Sequence, residues 1–168
     1  TELEEEVDMI AQVEQEMQSR YALMNEHGVN NFEQLPSPPP AVLLMIDEVF
    51  ALLSPENIKS EEGKERDALH ARATTLIGSI ARLGRAAGIH MVLATQRPDA
   101  KVLPGETRAN LDCRIAQGRM DTTPSLMVLD SDAATHLPQV RGRAIVRTGN
   151  DFTEFQAYFV DEKEIPQA

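Results

Sequence analysis

The sequence has no tryptophan, and phenylalanine and tyrosine bring its aromatic share to only 4% of 168 residues. A core must therefore be assembled mainly from Leu, Ile, Val, Ala and Met. A single cysteine, Cys113, excludes an internal disulfide, which fits a reducing compartment. Cys113 lies in an apolar stretch and reads as a packing residue. No window approaches the ~18 to 20 consecutive apolar residues of a spanning helix, and the N-terminal residues are acidic rather than signal-like, so no part of this chain is expected to contact a membrane. The four histidines are scattered without ligand spacing, which argues against a structural zinc. There is no Gly-x-Ser-x-Gly elbow, and no Cys/His pairing offers a nucleophile. Excess positive charge is missing as well. The net charge of −11 argues against a chain that coats nucleic acid over its whole surface, although Arg82 and Arg85, and Arg141, Arg143 and Arg147, form local basic clusters.

What is present is the length of one domain with an ordinary hydrophobic fraction of 42%. Its most informative stretch is Ala41 to Glu48, AVLLMIDE, preceded by four prolines within Pro36 to Pro40. A short apolar run bounded in this way reads as a strand buried on both faces, as in a parallel sheet. Two carboxylates at its exit, Asp47 and Glu48, lie where ligands bind in open α/β sheets. Such a pair suits a nucleotide site: one acid holds Mg²⁺ through water, and the next positions or deprotonates a water attacking the γ-phosphate. The plainer alternative is that the acids are solvated or cap the next helix. A second apolar run, Ile89 to Thr95, ends in Gln96 and Arg97. The Gln96 amide, with a donor and an acceptor, suits orienting a water against phosphate.

Around these strands the pattern predicts a long amphipathic helix over residues 2 to 26, with Leu3, Val7, Ile10, Val13, Met17, Tyr21 and Met24 along one stripe and Gly28 as its stop. That stripe needs a surface to pack on, within the chain or in a parent protein beyond it. Asn30 to Pro40 reads as a non-helical linker, and Ser54 to Asp67 as an exposed, charged, mobile loop. A helix from about Ala68 to Ala87 then completes a βαβ unit over residues 41 to 95. Leu111 to Gln117 is expected to be a third strand. Its Arg114 requires a carboxylate partner or a route to the surface, so it is either an internal salt bridge or a charge presented to a neighbouring subunit. Two short helices follow, Asp121 to Leu129 and Ser131 to His136. Arg143 to Arg147 and Phe152 to Val160 then read as a hairpin.

A nucleotide site of this kind also needs a phosphate-cradling G-x-x-x-x-G-K-[ST] loop, and the sequence has none. Either the acids serve another purpose or this is the later part of a longer protein. The blocks LLMIDEVFALL and ARLGRAAGIHMVLATQRPDAKVLPGETRANLDCRIA closely resemble the motor domain of the FtsK/SpoIIIE family of hexameric translocases. VEQEMQSRYALMNEHGVNNFEQL resembles the segment between Walker A and Walker B there, and the likeness runs over roughly residues 10 to 160.

The resemblance implies a RecA-like P-loop NTPase core: α/β, three-layered, with a mainly parallel sheet, incomplete here, plus a C-terminal β-hairpin. Residues 1–35 would be an N-terminal helix and connection, and 36–168 the Walker B-containing part of a single ATPase domain. It makes Asp47 the Walker B acid on the Mg²⁺ side, Glu48 the catalytic glutamate and Gln96 the polar sensor. Arg114 becomes the choice for an arginine finger, with Arg85 and Arg82 behind it; such fingers change rates by roughly 10³ to 10⁵. The implied cofactors are ATP and Mg²⁺, and the implied partners are double-stranded DNA and further copies forming a ring. The parent would lie on the cytoplasmic side of the bacterial membrane, anchored by segments outside the motor. The C-terminal LPQVRGRAIVRTGNDFTEFQAYFV looks closer to conjugation-type or type VII secretion relatives, leaving protein cargo as an alternative, and a degenerate, non-hydrolysing assembly module as a third reading.

Overall fold

The structure, a computed structural model, describes residues 1–98, 103–161 and 163. The chain divides into two compact units, Thr1–Asn110 and Leu111–Ala168.

The first unit begins with helix α1 (Glu2–His27). Acids fill its first turn, and Gly28 closes it in the left-handed conformation at φ 63°, donating its N–H to carbonyls of the last turn. Leu3, Val7, Ile10, Met17 and Met24 are buried along one face as their spacing predicts. They do not wait for an outside partner. All but Met24 join a core with Ala73, Ile77 and Ile80 of helix α3 (Glu61–Leu83) and with Leu44 and Ile89 of strands β1 (Val42–Ile46) and β2 (Ile89–Leu93). One stripe member was not legible as such. Arg20 is only 5% exposed, and its guanidinium donates to Glu16 Oε1, to the Ala87 carbonyl at 3.0 Å and to the Pro40 carbonyl at 2.9 Å. It pins α1 to the turns that feed both strands.

Two expected loops turn out to be structured. Within the proline-rich connection, Phe32–Gln34 forms one 3₁₀ turn in which the Asn31 side chain accepts from Glu33 N–H at 2.9 Å. Phe32 and Leu35 are buried against Met24, which anchors the connection. The charged stretch after helix α2 (Val49–Leu53) yields seven residues earlier than predicted to α3. Ser60 caps that helix by accepting from Gly63 N–H at 3.1 Å, with Glu61 and Glu62 in the first turn. Low apolar content masked this start, but the cap and the acids are its signal. The segment before it is held by Asp67, whose carboxylate accepts from Glu56 N–H at 2.8 Å, and by an Arg66–Glu56 ion pair at 2.7 Å.

Strands β1 and β2 pair in parallel, Val42 against Ile89 through Ile46 against Leu93. Strand β1 is not buried on both faces as its composition suggested. Leu44 points into the core, whereas Leu43 and Met45 are 60% and 69% exposed, beside Val92 at 45%. The helices cover one face of this two-stranded sheet only.

The second unit holds an antiparallel sheet in the order β3 (Cys113–Gln117), β4 (Arg143–Thr148), β5 (Asp151–Gln156). The predicted third strand thus pairs with the hairpin. The strands run one residue further on each side than expected, with Thr148 opposite Asp151, so only Gly149 and Asn150 form the turn, Gly149 at φ 61°. Strand β5 ends at Gln156, short of the expected Val160, and Tyr158, Phe159 and Val160 are exposed. After the short helix α4 (Gly105–Ala109) that ends the first unit, helix α5 (Thr122–Leu129) and a 3₁₀ turn at Ala133–His136 match the two predicted short helices. Leu129, Ala134 and Leu137 pack with Ala116 and Ile145 into a small core. Cys113 is exposed rather than packed.

Candidate functional site

Parallel pairing brings the exits of β1 and β2 to one rim of the first unit. The ladder continues past the strands: Ala94 N–H donates to the Ile46 carbonyl and Val49 N–H to the Ala94 carbonyl, both at 2.9 Å. This stitching holds the turn carrying Asp47 and Glu48 against the turn carrying Thr95, Gln96 and Arg97. Glu48 adopts the left-handed conformation, φ 49° and ψ 50°, as it leads into α2. For a residue with a Cβ that conformation costs roughly 1–3 kcal/mol and persists only where the surroundings enforce it.

The surroundings do so through the side chain. Glu48 Oε1 accepts from the Thr95 hydroxyl at 2.8 Å, and Oε2 accepts from Gln96 N–H at 3.1 Å. The Thr95 oxygen in turn accepts from Arg97 N–H at 3.0 Å. Asp47 folds its Oδ1 onto the Glu48 N–H at 2.9 Å. Asp47 and Gln96 are exposed and Glu48 is half-buried. The acid pair and the Gln96 turn therefore share one rim and face solvent rather than an interior. Of these groups, sequence reasoning missed the part of Thr95. The register carries its signal: two steps beyond the Ile46–Leu93 pair, a hydroxyl residue stands level with the glutamate.

Two hard carboxylates at a strand exit fit a divalent cation held mostly by water and phosphate oxygens. Among the described residues no group of three His, Cys, Asp or Glu is placed to cage a metal alone. A groove of about 470 Å³ lies elsewhere on this unit and is lined by Glu14, Thr75, Ser79, Arg82 and Thr107, with none of the acid-rim residues.

Arg114 belongs to the second unit, on β3 opposite Arg147 of β4. It donates to Asp130 Oδ2 at 2.6 Å and to the carbonyls of Leu111 and Val128. Arg147 donates to the same Asp130 oxygen at 2.5 Å and to the Leu129 carbonyl. Burial pushes the Asp130 carboxyl up, but hydrogen bonds and charge from Arg114 and Arg147 outweigh it and hold the group below the usual carboxylate range. Of the two expectations for Arg114, the internal ion pair is the contact present in this chain. Arg82 and Arg85 are exposed.

No protein-family model matches the chain. It is 32% identical to the DNA translocase FtsK of Helicobacter pylori (strain ATCC 700392 / 26695) over 95% of its own length and 18% of that protein. Among solved structures, the pCW3 conjugation coupling protein TcpA, in a monomer form with ATPgS, superposes with a TM-score of 0.88 at 30% identity, over 98% of this chain and 47% of that one. The cytoplasmic domain of the Thermomonospora curvata type VII secretion ATPase EccC superposes with a TM-score of 0.65 at 26% identity, over 96% of this chain and 19% of that one. The chain thus spans under a fifth of the curated relative and about half of the nearer fold match. The fold is that of part of a P-loop ATPase motor domain of RecA-like architecture. Within that class the chain belongs to the FtsK/SpoIIIE family.

Proposed function

We propose that this chain is the Walker B-containing part, residues 36–168 with the 1–35 helix and connection packed against it, of an ATP-driven, ring-forming translocase that moves double-stranded DNA. The observation that carries the proposal is the shared rim of Asp47, Glu48 and Gln96. In this reading Asp47 holds Mg²⁺ through water, Glu48 orients or deprotonates the water attacking the γ-phosphate, and Gln96 reads the state of that phosphate. Bound ATP and Mg²⁺ supply the phosphoryl group and the charge neutralisation. The chain's own residues supply orientation and a proton acceptor.

The phosphate cradle comes from outside this sequence, since no Gly-Lys-Ser/Thr loop occurs in it. The exposed apolar face of β1 and β2 supports the same conclusion, because Leu43, Met45 and Val92 form a sheet surface suited to being covered. Arg114 serves as the arginine finger for the adjoining subunit, exchanging Asp130 for phosphate when the ring closes. DNA as cargo rests on the relatives, one a DNA translocase and one a conjugation coupling protein. Protein cargo is the second reading, favoured by the likeness to a type VII secretion ATPase; a degenerate, non-hydrolysing assembly module is the third. The parent works on the cytoplasmic face of the membrane, anchored through other segments; no helix among the described residues is long and apolar enough to cross a bilayer.

ATP turnover by the full-length protein, measured with and without linear duplex DNA, tests the cargo. Stimulation by duplex DNA is expected. Turnover that is indifferent to DNA and rises with a secreted protein substrate contradicts it, and absence of any turnover favours the assembly module.

A further inference from the structure

The Glu48 carboxylate is fixed at both oxygens by one short turn, and only one of the two donors is a side chain. The N–H at position 96 is present for any residue but proline, whereas the Thr95 hydroxyl is a choice of sequence. That hydroxyl has little freedom. Its oxygen accepts from Arg97 N–H, so its proton is committed to Glu48 Oε1 at 2.8 Å. A carboxylate offers about four lone-pair sites. One bond at each oxygen leaves a site on each for a water, while the plane of the group is set.

We infer that Thr95 is a positioning residue: its hydroxyl orients the Glu48 carboxylate and couples that orientation to the turn bearing Gln96 and Arg97. Any displacement of Gln96 toward a phosphate moves Thr95 Oγ1 and Gln96 N together, and both hold Glu48. Glu48 itself stands on a left-handed backbone at φ 49°, a conformation that persists only where the surroundings hold it. The inference rests on the reading of Glu48 as the group that handles the attacking water. It adds a residue that never touches substrate, yet determines where that carboxylate points.

The test uses the full-length protein and ATP with Mg²⁺. Thr95→Val keeps the shape and loses the donor. Its kcat is expected to fall about 10- to 100-fold, as small misplacements of a catalytic group do, with KM for ATP within about twofold. Thr95→Ala, the second variant, shares the loss, and Thr95→Ser restores most of the rate. Added to Glu48→Gln, Thr95→Val costs nothing further, because both act through one carboxylate. Thr95 is exposed, so melting temperatures should stay together.

If Thr95→Val turns over like wild type while Glu48→Gln is inactive, the inference fails and the reading of Glu48 stands. If Glu48→Gln itself turns over like wild type, both fail. Equal damage from Val and Ser, or losses that add fully to Glu48→Gln, also overturns the inference.

Discussion

Arg147 and Asp130 meet at 2.5 Å through the same carboxylate oxygen that Arg114 holds at 2.6 Å. The two guanidiniums come from paired positions on adjacent strands, and Asp130 reaches them from the left-handed cap of α5. The group that keeps β3, β4 and α5 together is thus also the group that occupies the candidate finger.

Because Asp130 is held below its usual range, its contribution to stability is present above the ordinary carboxylate value of about 3.9. It is lost as the pH falls through the lower folded-state value. The side chain is 48% exposed, so screening limits the effect to less than about 1 kcal/mol. Thermal unfolding of the wild-type chain should weaken below pH 4 by this increment, and Asp130→Asn should remove that part of the acid sensitivity.

Arg20→Ala should be among the more damaging changes in the first unit. It leaves the Ala87 carbonyl without its buried donor, removes the donor to Pro40 and opens space beneath Phe32. A loss of about 2–4 kcal/mol is expected in denaturant unfolding. Arg20→Lys should recover little, since one ammonium cannot reproduce three diverging donors.

Gly88→Ala tests the packing that aligns β2. A Cβ there would stand 2.5 Å from Phe32 Cζ, on a backbone at φ 73°. Overpacking and left-handed strain together predict a loss of about 2–4 kcal/mol. Gly28, also left-handed but with open space around it, should tolerate alanine better in the same measurement.

The open face of β1 and β2 makes a prediction that depends on context. Met45→Asp should alter the stability of this chain by less than about 0.5 kcal/mol, because the side chain is already in water. In the full-length protein the same substitution should destabilise the motor by several kcal/mol if the face is covered, through burial of an unpaired charge. Comparing the two melting curves measures the difference.

Much of this was legible in the sequence for identifiable reasons. The α1 stripe, the two strand exits and the hairpin between Arg147 and Phe152 each follow from local periodicity or turn chemistry, which the residues carry themselves. What escaped depended on partners distant in sequence. Arg20 reads as a surface charge until the Ala87 and Pro40 carbonyls are beside it, and Thr95 reads as the end of a strand until the register sets it against Glu48. The start of α3 was hidden because Ser60 opens a helix whose first turns hold almost no apolar residues. Strand β1, an unbroken apolar run, reads as buried on both sides, whereas the described residues of this chain cover only one of them.

The central claim is that Glu48 handles the attacking water on a rim shared with Asp47 and Gln96. Its most direct test is single-turnover hydrolysis of ATP by full-length protein carrying Glu48→Gln, with nucleotide binding followed in parallel. Retained ATP binding with hydrolysis slowed by at least about 100-fold is the predicted result. Hydrolysis at the wild-type rate would contradict it.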